Sequence, residues 1–138
     1  MIKTETIGIE TEGNTDVIDI TNAVINILKK SGFREGNIVL FVSGSTAGIT
    51  TIEYELGLVK DLRDMFERIV PSSFDYKHHG KWNDNNGHSH IRASLLKSDL
   101  VVPFRDGKLV LGRWQQIVLV DFDTSPRNRE IIVQISGE

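Results

Sequence analysis

Four histidines, His78, His79, His88 and His90, are the only ones in the chain, and they fall in one short stretch. Tyr76, Asn83, Asp84, Asn85 and Asn86 share that stretch. An imidazole binds a divalent metal or moves a proton near neutral pH. A carboxylate beside it fixes its tautomer or completes a metal shell. No aliphatic residue lies between Tyr76 and His90, which argues against a packing role for the whole segment. His88 and His90 point to one side if the backbone is extended and diverge if Ser89 caps a helix. No His-Glu-x-x-His signature is present, so a polar surface loop with ordinarily hydrogen-bonded imidazoles stays open beside the functional reading.

Two further stretches carry possible chemistry. Ser43-Gly44-Ser45-Thr46-Ala47-Gly48 follows a strongly apolar run. Its backbone N–H groups and hydroxyls suit a phosphate, although a tight strand-to-strand turn explains it equally well. It is no Walker loop, because no Gly-Lys-Ser/Thr follows. In Gly112-Arg113-Trp114-Gln115-Gln116, two amides and an arginine interrupt an apolar strand. A Trp there is expected in the core, with the adjacent Gln lining a polar site or an interface. Arg127 and Arg129 are candidate phosphate partners, although solvated surface charge is the commoner outcome.

The elements that must position these residues follow from periodicity. Ile2 to Glu10 alternates and predicts a strand. Gly13-Asn14-Thr15-Asp16 predicts a cap, followed by a helix through Val17, Ile20, Val24, Ile27 and Leu28 that Gly32 stops. Ile38 to Val42 reads as a central strand, and Thr50 to Tyr54 as a short one. Leu58, Leu62, Met65, Phe66 and Ile69 predict a helix that Pro71 ends. Ile91, Leu95 and Leu96 predict a short third helix with Ser89 as a possible cap. Leu100–Phe104 and Lys108–Leu111 flank a hairpin turn at Arg105-Asp106-Gly107. Arg113 to Phe122 reads as a strand entered through a bend at Gly112, and Glu130 to Ile135 as the last. Sequential strands at the end favour an α+β fold over a doubly wound one.

Composition bounds the function. The 138 residues suit one domain, 39% are hydrophobic and 25% charged, and the net charge of −3 speaks against nucleic acid as a partner. With no cysteine there is no thiol nucleophile or cysteine zinc site. The longest apolar runs are far short of a membrane span, and the opening residues lack a signal-peptide core. A cytoplasmic protein with no membrane partner is expected.

Three blocks together resemble a known family: Tyr76-Lys77-His78, then Asn86-Gly87-His88-Ser89-His90-Ile91-Arg92-Ala93-Ser94-Leu95-Leu96, then Val102 to Ile117 with its Gly112-x-Trp114-Gln115-x-Ile117 core. They are similar to the YjbQ-type family, also labelled secondary thiamine-phosphate synthase, over nearly the whole chain. The resemblance implies one domain over residues 1–138, an α+β fold with a sandwich-like, mostly antiparallel sheet and two to three helices, and a homotrimer with a polar pocket near an interface. It implies a weak transferase activity joining a pyrimidine-methyl diphosphate to a thiazole phosphate.

Residue by residue, His78 matches the Tyr-x-His histidine, His90 the histidine before the Ile/Leu-Lys/Arg-Ala/Ser-Ser stretch, and Asp84 the acidic residues between them. Trp114 and Gln115 match the Trp-Gln pair. His78, Asp84 and His90 are the expected catalytic residues. Ser45, Thr46, Trp114 and Gln115 are expected to bind a phosphorylated small molecule. His78 and His90 are the expected ligands if a divalent metal is used, either zinc on the histidines or magnesium with the diphosphate. The chain departs from the family at Gly44, where many members carry a histidine, and beside Glu53, where a usual Asn is absent. The rival expectation is a trimeric module that holds a metal or phosphorylated ligand without catalysis.

Overall fold

The apolar run Ile117–Val120 is the middle wall of the molecule, because all four side chains are fully buried and alternate between two cores. The computed structural model describes residues 1–79 and 84–138, so Asn83 of the histidine segment lies outside the described residues. In chain order the elements are β1 (Ile2–Thr11), β2 (Asp16–Asp19), α1 (Thr21–Ser31), β3 (Gly36–Val42), β4 (Ala47–Ile52), α2 (Leu56–Ile69), α3 (Gly87–Leu96), β5 (Asp99–Arg105), β6 (Lys108–Leu109), β7 (Gln116–Asp121) and β8 (Arg127–Gly137).

These strands form a five-stranded sheet, order β1-β8-β3-β5-β6, and a three-stranded sheet, order β2-β7-β4. Every pairing is antiparallel. Period-two alternation sends Ile38, Leu40, Val42, Ile131, Val133 and Ile135 of the larger sheet toward Ile49, Ile117 and Leu119 of the smaller one, with Val24 and Leu28 of α1 closing the core. Val118, Val120 and Phe122 point the other way and pack on Val59 and Phe66 of α2 and Ala93 of α3. Phe66 meets Phe122 edge-on, with ring centroids 4.8 Å apart. The result is the expected α+β sandwich, with three helices among the described residues.

The hairpin at Asp106-Gly107 forms as expected, with both residues at positive φ and Arg105 paired to Lys108. Gly32 ends α1 in the left-handed conformation, also as expected. Three local expectations are corrected. The first helix does not begin at Val17. Asn14 and Thr15 turn sharply at positive φ, and Asp16–Asp19 then pairs with β7, which buries Val17. Tertiary pairing overrides helical spacing there, and α1 starts where Asp19 accepts from the Thr21 N–H and hydroxyl. Residues 113–114 are a turn rather than strand, closed by the Gln115 N–H on the Gly112 carbonyl, and Trp114 is 62% exposed instead of core. Ser89 does not cap α3. Asn86 holds that position, and Ser89 is buried with its hydroxyl on the Phe122 carbonyl.

Candidate functional site

The first turn of α3 is locked to the loop before it. The Gly87 N–H donates to His79 Nε2 at 3.1 Å, satisfying one of the helix's otherwise orphan donors. A methyl group on Gly87 would sit 2.6 Å from Tyr76 Cβ, so only glycine lets this loop lie so close. Tyr76 in turn donates its hydroxyl to the Pro71 carbonyl. Residues 76–79 are thereby fixed against α3, and His78 is carried up to His90, with ring centroids 4.5 Å apart. Helical geometry then separates His90 from His88. His88 is buried near Tyr76 and Arg92, whereas His90 lines the cleft of His78. Part of the histidine segment therefore packs after all: Asn86, His88 and Ser89 are buried.

Across the cleft, the end of β7 and the start of β8 supply a network that the histidine motif does not hint at. Asp121 and Asp123 alternate onto one side, as do Arg127 and Arg129. Arg129 grips Asp121 through Nε at 2.7 Å and Nη2 at 2.9 Å, and Thr11 donates to the same carboxylate at 2.6 Å. Arg127 donates to Asp123 at 3.0 Å. Thr46 joins the halves, accepting from Arg129 at 2.6 Å and donating to Asp123 at 3.0 Å. A Cβ at Gly44 would lie 2.5 Å from Arg129 Nη1, so this glycine leaves the guanidinium its room. Asn86 lies between the network and the histidines. With its NH2 toward Asp84, it donates to Asp84 Oδ1 at 2.9 Å and to His78 Nε2 at 3.1 Å. The opposite orientation accepts from His78 Nε2 at 3.1 Å and donates to Asp123 Oδ1 at 3.3 Å, but sets the amide oxygen against the Asp84 carboxylate. His78 also lies 3.7 Å from Asp84.

The electrostatics divide the groups by role. Burial tends to raise both Asp121 and Asp123, yet hydrogen bonds win. Arg129 and Thr11 hold Asp121 below the usual carboxylate range, and the Thr124 N–H and Thr46 hydroxyl do the same for Asp123. Burial pulls His90 below its ordinary value, helped by the neighbouring His78, so its imidazole is neutral at pH 7. A neutral ring serves as base or hydrogen-bond partner.

His78, Asp84, His90, Ser45 and Thr46 thus come together in one cleft of about 530 Å³, with Asn86, Asp123, Arg127, Asn128 and Arg129. Thr46 is buried and its hydroxyl proton already goes to Asp123, which leaves Ser45 as the cleft's hydroxyl without a partner among the described residues. Trp114 and Gln115 are not brought there. Gln115 lines a different cleft and donates to Thr51. It adjoins Gln116, the far end of β7 from Asp121, roughly 17 Å away along the strand. Among the described residues no group of three or more His, Asp or Glu side chains is arranged to hold a metal ion. His78 and His90 alone are two ligands, short of a closed zinc shell. The residues that sequence reasoning missed are Asp121, Asp123 and the structural use of Asn86. Their signal was Asp-x-Asp followed by Arg-x-Arg across a turn, two period-two pairs of opposite charge.

Residues 5–138 match the family model described as UPF0047 protein YjbQ-like. A UPF0047 protein of Methanothermobacter thermautotrophicus is 37% identical over 137 residues, covering 99% of this chain and 94% of that protein. A crystal structure of a YbjQ-like protein of unknown function from Sulfolobus solfataricus is 36% identical, with a TM-score of 0.90 and full coverage of both chains. One from Clostridium acetobutylicum, of the YjbQ/UPF0047 family, is 34% identical with a TM-score of 0.88, covering 96% of this chain and 99% of that one.

Proposed function

Because the chain belongs to the YjbQ-like UPF0047 family, we propose that its polar cleft is the active site of a weak thiamine-phosphate synthase-like transferase. The observation that supports this is the convergence of Ser45, His78, Asp84, His90 and Arg127 on one open polar cleft. The reaction joins a thiazole phosphate to a pyrimidine-methyl diphosphate. The thiazole nitrogen bonds to the methylene carbon as the carbon–oxygen bond breaks, and diphosphate leaves with the electron pair. Charge therefore grows on the leaving group, where cations and N–H donors stabilise it most.

Arg127 is half exposed and Ser45 is exposed, so both can turn to phosphate oxygens, with the loop N–H groups beside them. With Nε2 of His78 accepting from Asn86, its Nδ1–H is left to donate to a leaving oxygen. Neutral His90 orients the incoming ring. Magnesium accompanying a diphosphate is held mainly by phosphate oxygens and water, so the single half-exposed carboxylate of Asp84 suffices as its protein ligand. It would supply charge neutralisation.

The decisive assay measures thiamine phosphate formed from the two precursors with magnesium. Turnover by the wild type, reduced at least ~100-fold in His90→Ala, is the expected result for an acid–base or orienting group. A wild type without turnover refutes the reading.

The rival is a non-catalytic module that holds a metal or phosphorylated ligand. It is favoured by one observation: Thr46, Asp121, Asp123 and Arg129 spend their polar groups on each other. In either case the assembly is a homotrimer, which is supported by exposed apolar side chains at Phe41 and Val101 on the outer face of the larger sheet and by exposed Trp114. A cysteine-free chain fits a cytoplasmic setting.

A further inference from the structure

The polar cleft does not end at His90. A second cleft of about 400 Å³ continues from it, lined by Ser94, Lys97, Ser98 and Asp99, and the two share Gly44, Ser45 and His90. At its far wall stands a residue in an unusual conformation. Lys97 caps the C-terminus of α3 with φ 80° and ψ 157°, a region that belongs essentially to glycine. The surrounding backbone enforces it. The Lys97 carbonyl accepts from Ile49, its N–H donates to Ala93, and the next carbonyl, of Ser98, accepts from Val42. Gly48 lets β4 lie directly against this turn, since a Cβ there would be 2.7 Å from the Lys97 carbonyl oxygen.

Glycine would hold this position without strain. Lysine returns nothing to the fold for the strain it carries. Its side chain is exposed and makes no hydrogen bond or ion pair among the described residues. What the lysine does provide is a free ammonium at the wall of a cleft that opens onto His90.

We infer that the Lys97 cleft is a second phosphate subsite, which holds the monophosphate of the acceptor substrate while the Arg127 side holds the departing diphosphate. This rests on the transferase reading and deepens it: a two-substrate transfer needs two anion sites that meet at the reacting groups, and these two meet at His90 and Ser45. Asp99 at the same rim disfavours a doubly charged anion placed near it and so directs the phosphate toward Ser94, Ser98 and Lys97.

The test pairs stability with binding. Lys97→Gly should melt about 3 °C higher than the wild type, as release of backbone strain requires. Its affinity for inorganic phosphate, followed by amide shifts at Ser94, Ser98 and Asp99, should fall about tenfold, the loss expected for one charge-assisted hydrogen bond. Lys97→Arg should keep the affinity. In the precursor assay, the KM for the thiazole phosphate should rise about tenfold, with that for the diphosphate unchanged. A more stable Lys97→Gly with undiminished phosphate binding overturns the inference. So does a less stable variant, or a wild type in which phosphate moves no amide of this cleft. Absence of turnover alongside Lys97-dependent phosphate binding would instead remove the transferase reading and leave the subsite standing.

Discussion

At the residue scale, the largest energies lie in charges that are buried and paired. Asp121 is fully buried, and Arg129 is nearly so. Replacing Arg129 with Met leaves a desolvated carboxylate without its partner, so unfolding free energy should drop by about 3 kcal/mol. Urea denaturation measures this, and an unchanged midpoint would show that the pair contributes little. The titrating groups predict a pH profile with two descents. Burial pulls His88 and His90 below 6.5 in the folded chain. As pH drops through 6.5, the unfolded chain therefore takes up protons that the folded chain refuses, and stability declines until the folded values are reached. The hydrogen bonds on Asp121 and Asp123 hold both below 3.8. Their contribution is complete above that value and is lost as pH falls through the folded values. Urea midpoints measured from about pH 8 down to about pH 3 should be flat at the top, fall first near 6.5 and fall again in acid. A flat profile from pH 7 to 5 would contradict the histidine step.

At the element scale, the site is a junction of four pieces: the Tyr76–His79 loop, the first turn of α3, the β3–β4 loop and the β7–β8 corner. Gly87 is where two of them touch. Gly87→Ala should push the Tyr76 loop off the helix, carry His78 away from His90, and cost about 2 kcal/mol through overpacking. Paired measurements of melting temperature and of the distance-dependent contacts between the two imidazoles by NMR would check it.

The same scale shows what the sequence made legible. Alternation and apolar runs announced β1, β3 and β7, and the Asp106-Gly107 turn announced its hairpin, because each depends on local pattern. The histidine cluster stood out by composition alone. β2 was misread because Val17 and Ile20 also fit a helix, and only pairing with β7 decides between them. Trp114 was misread because a large aromatic beside an apolar strand looks like core, while the turn closed by Gly112 and Gln115 holds it outside. The acidic floor of the site was missed because Asp121 and Asp123 acquire meaning only when the chain folds back and Arg127 and Arg129 face them.

At the scale of the whole molecule, the larger sheet packs its inner face on the core and leaves apolar groups outside. Phe41 is 44% exposed and Val101 54%, on neighbouring strands of one face. A trimer that covers this face predicts that Val101→Lys lowers the mass in light scattering to that of one chain. An unchanged mass would place the interface elsewhere, and a monomeric wild type would dispose of the trimer. The chosen position lies on the outer face, away from both cores, so the variant should keep its melting temperature if the chain is stable alone.

The strand shared by the two cores has a consequence for how the molecule opens. β7 is hydrogen-bonded to β2 on one side and β4 on the other, and its side chains are buried above and below. No partial opening can expose it without breaking both cores, so the amides of Ile117 to Val120 should exchange with solvent deuterium only through global unfolding. The carboxylates of the site hang from the end of that strand, whereas the histidines ride on a helix turn and a loop at the periphery. Slow exchange along the floor beside faster exchange at residues 76–79 would describe a cleft whose carboxylate side opens only with the whole molecule, while the loop that carries His78 opens on its own.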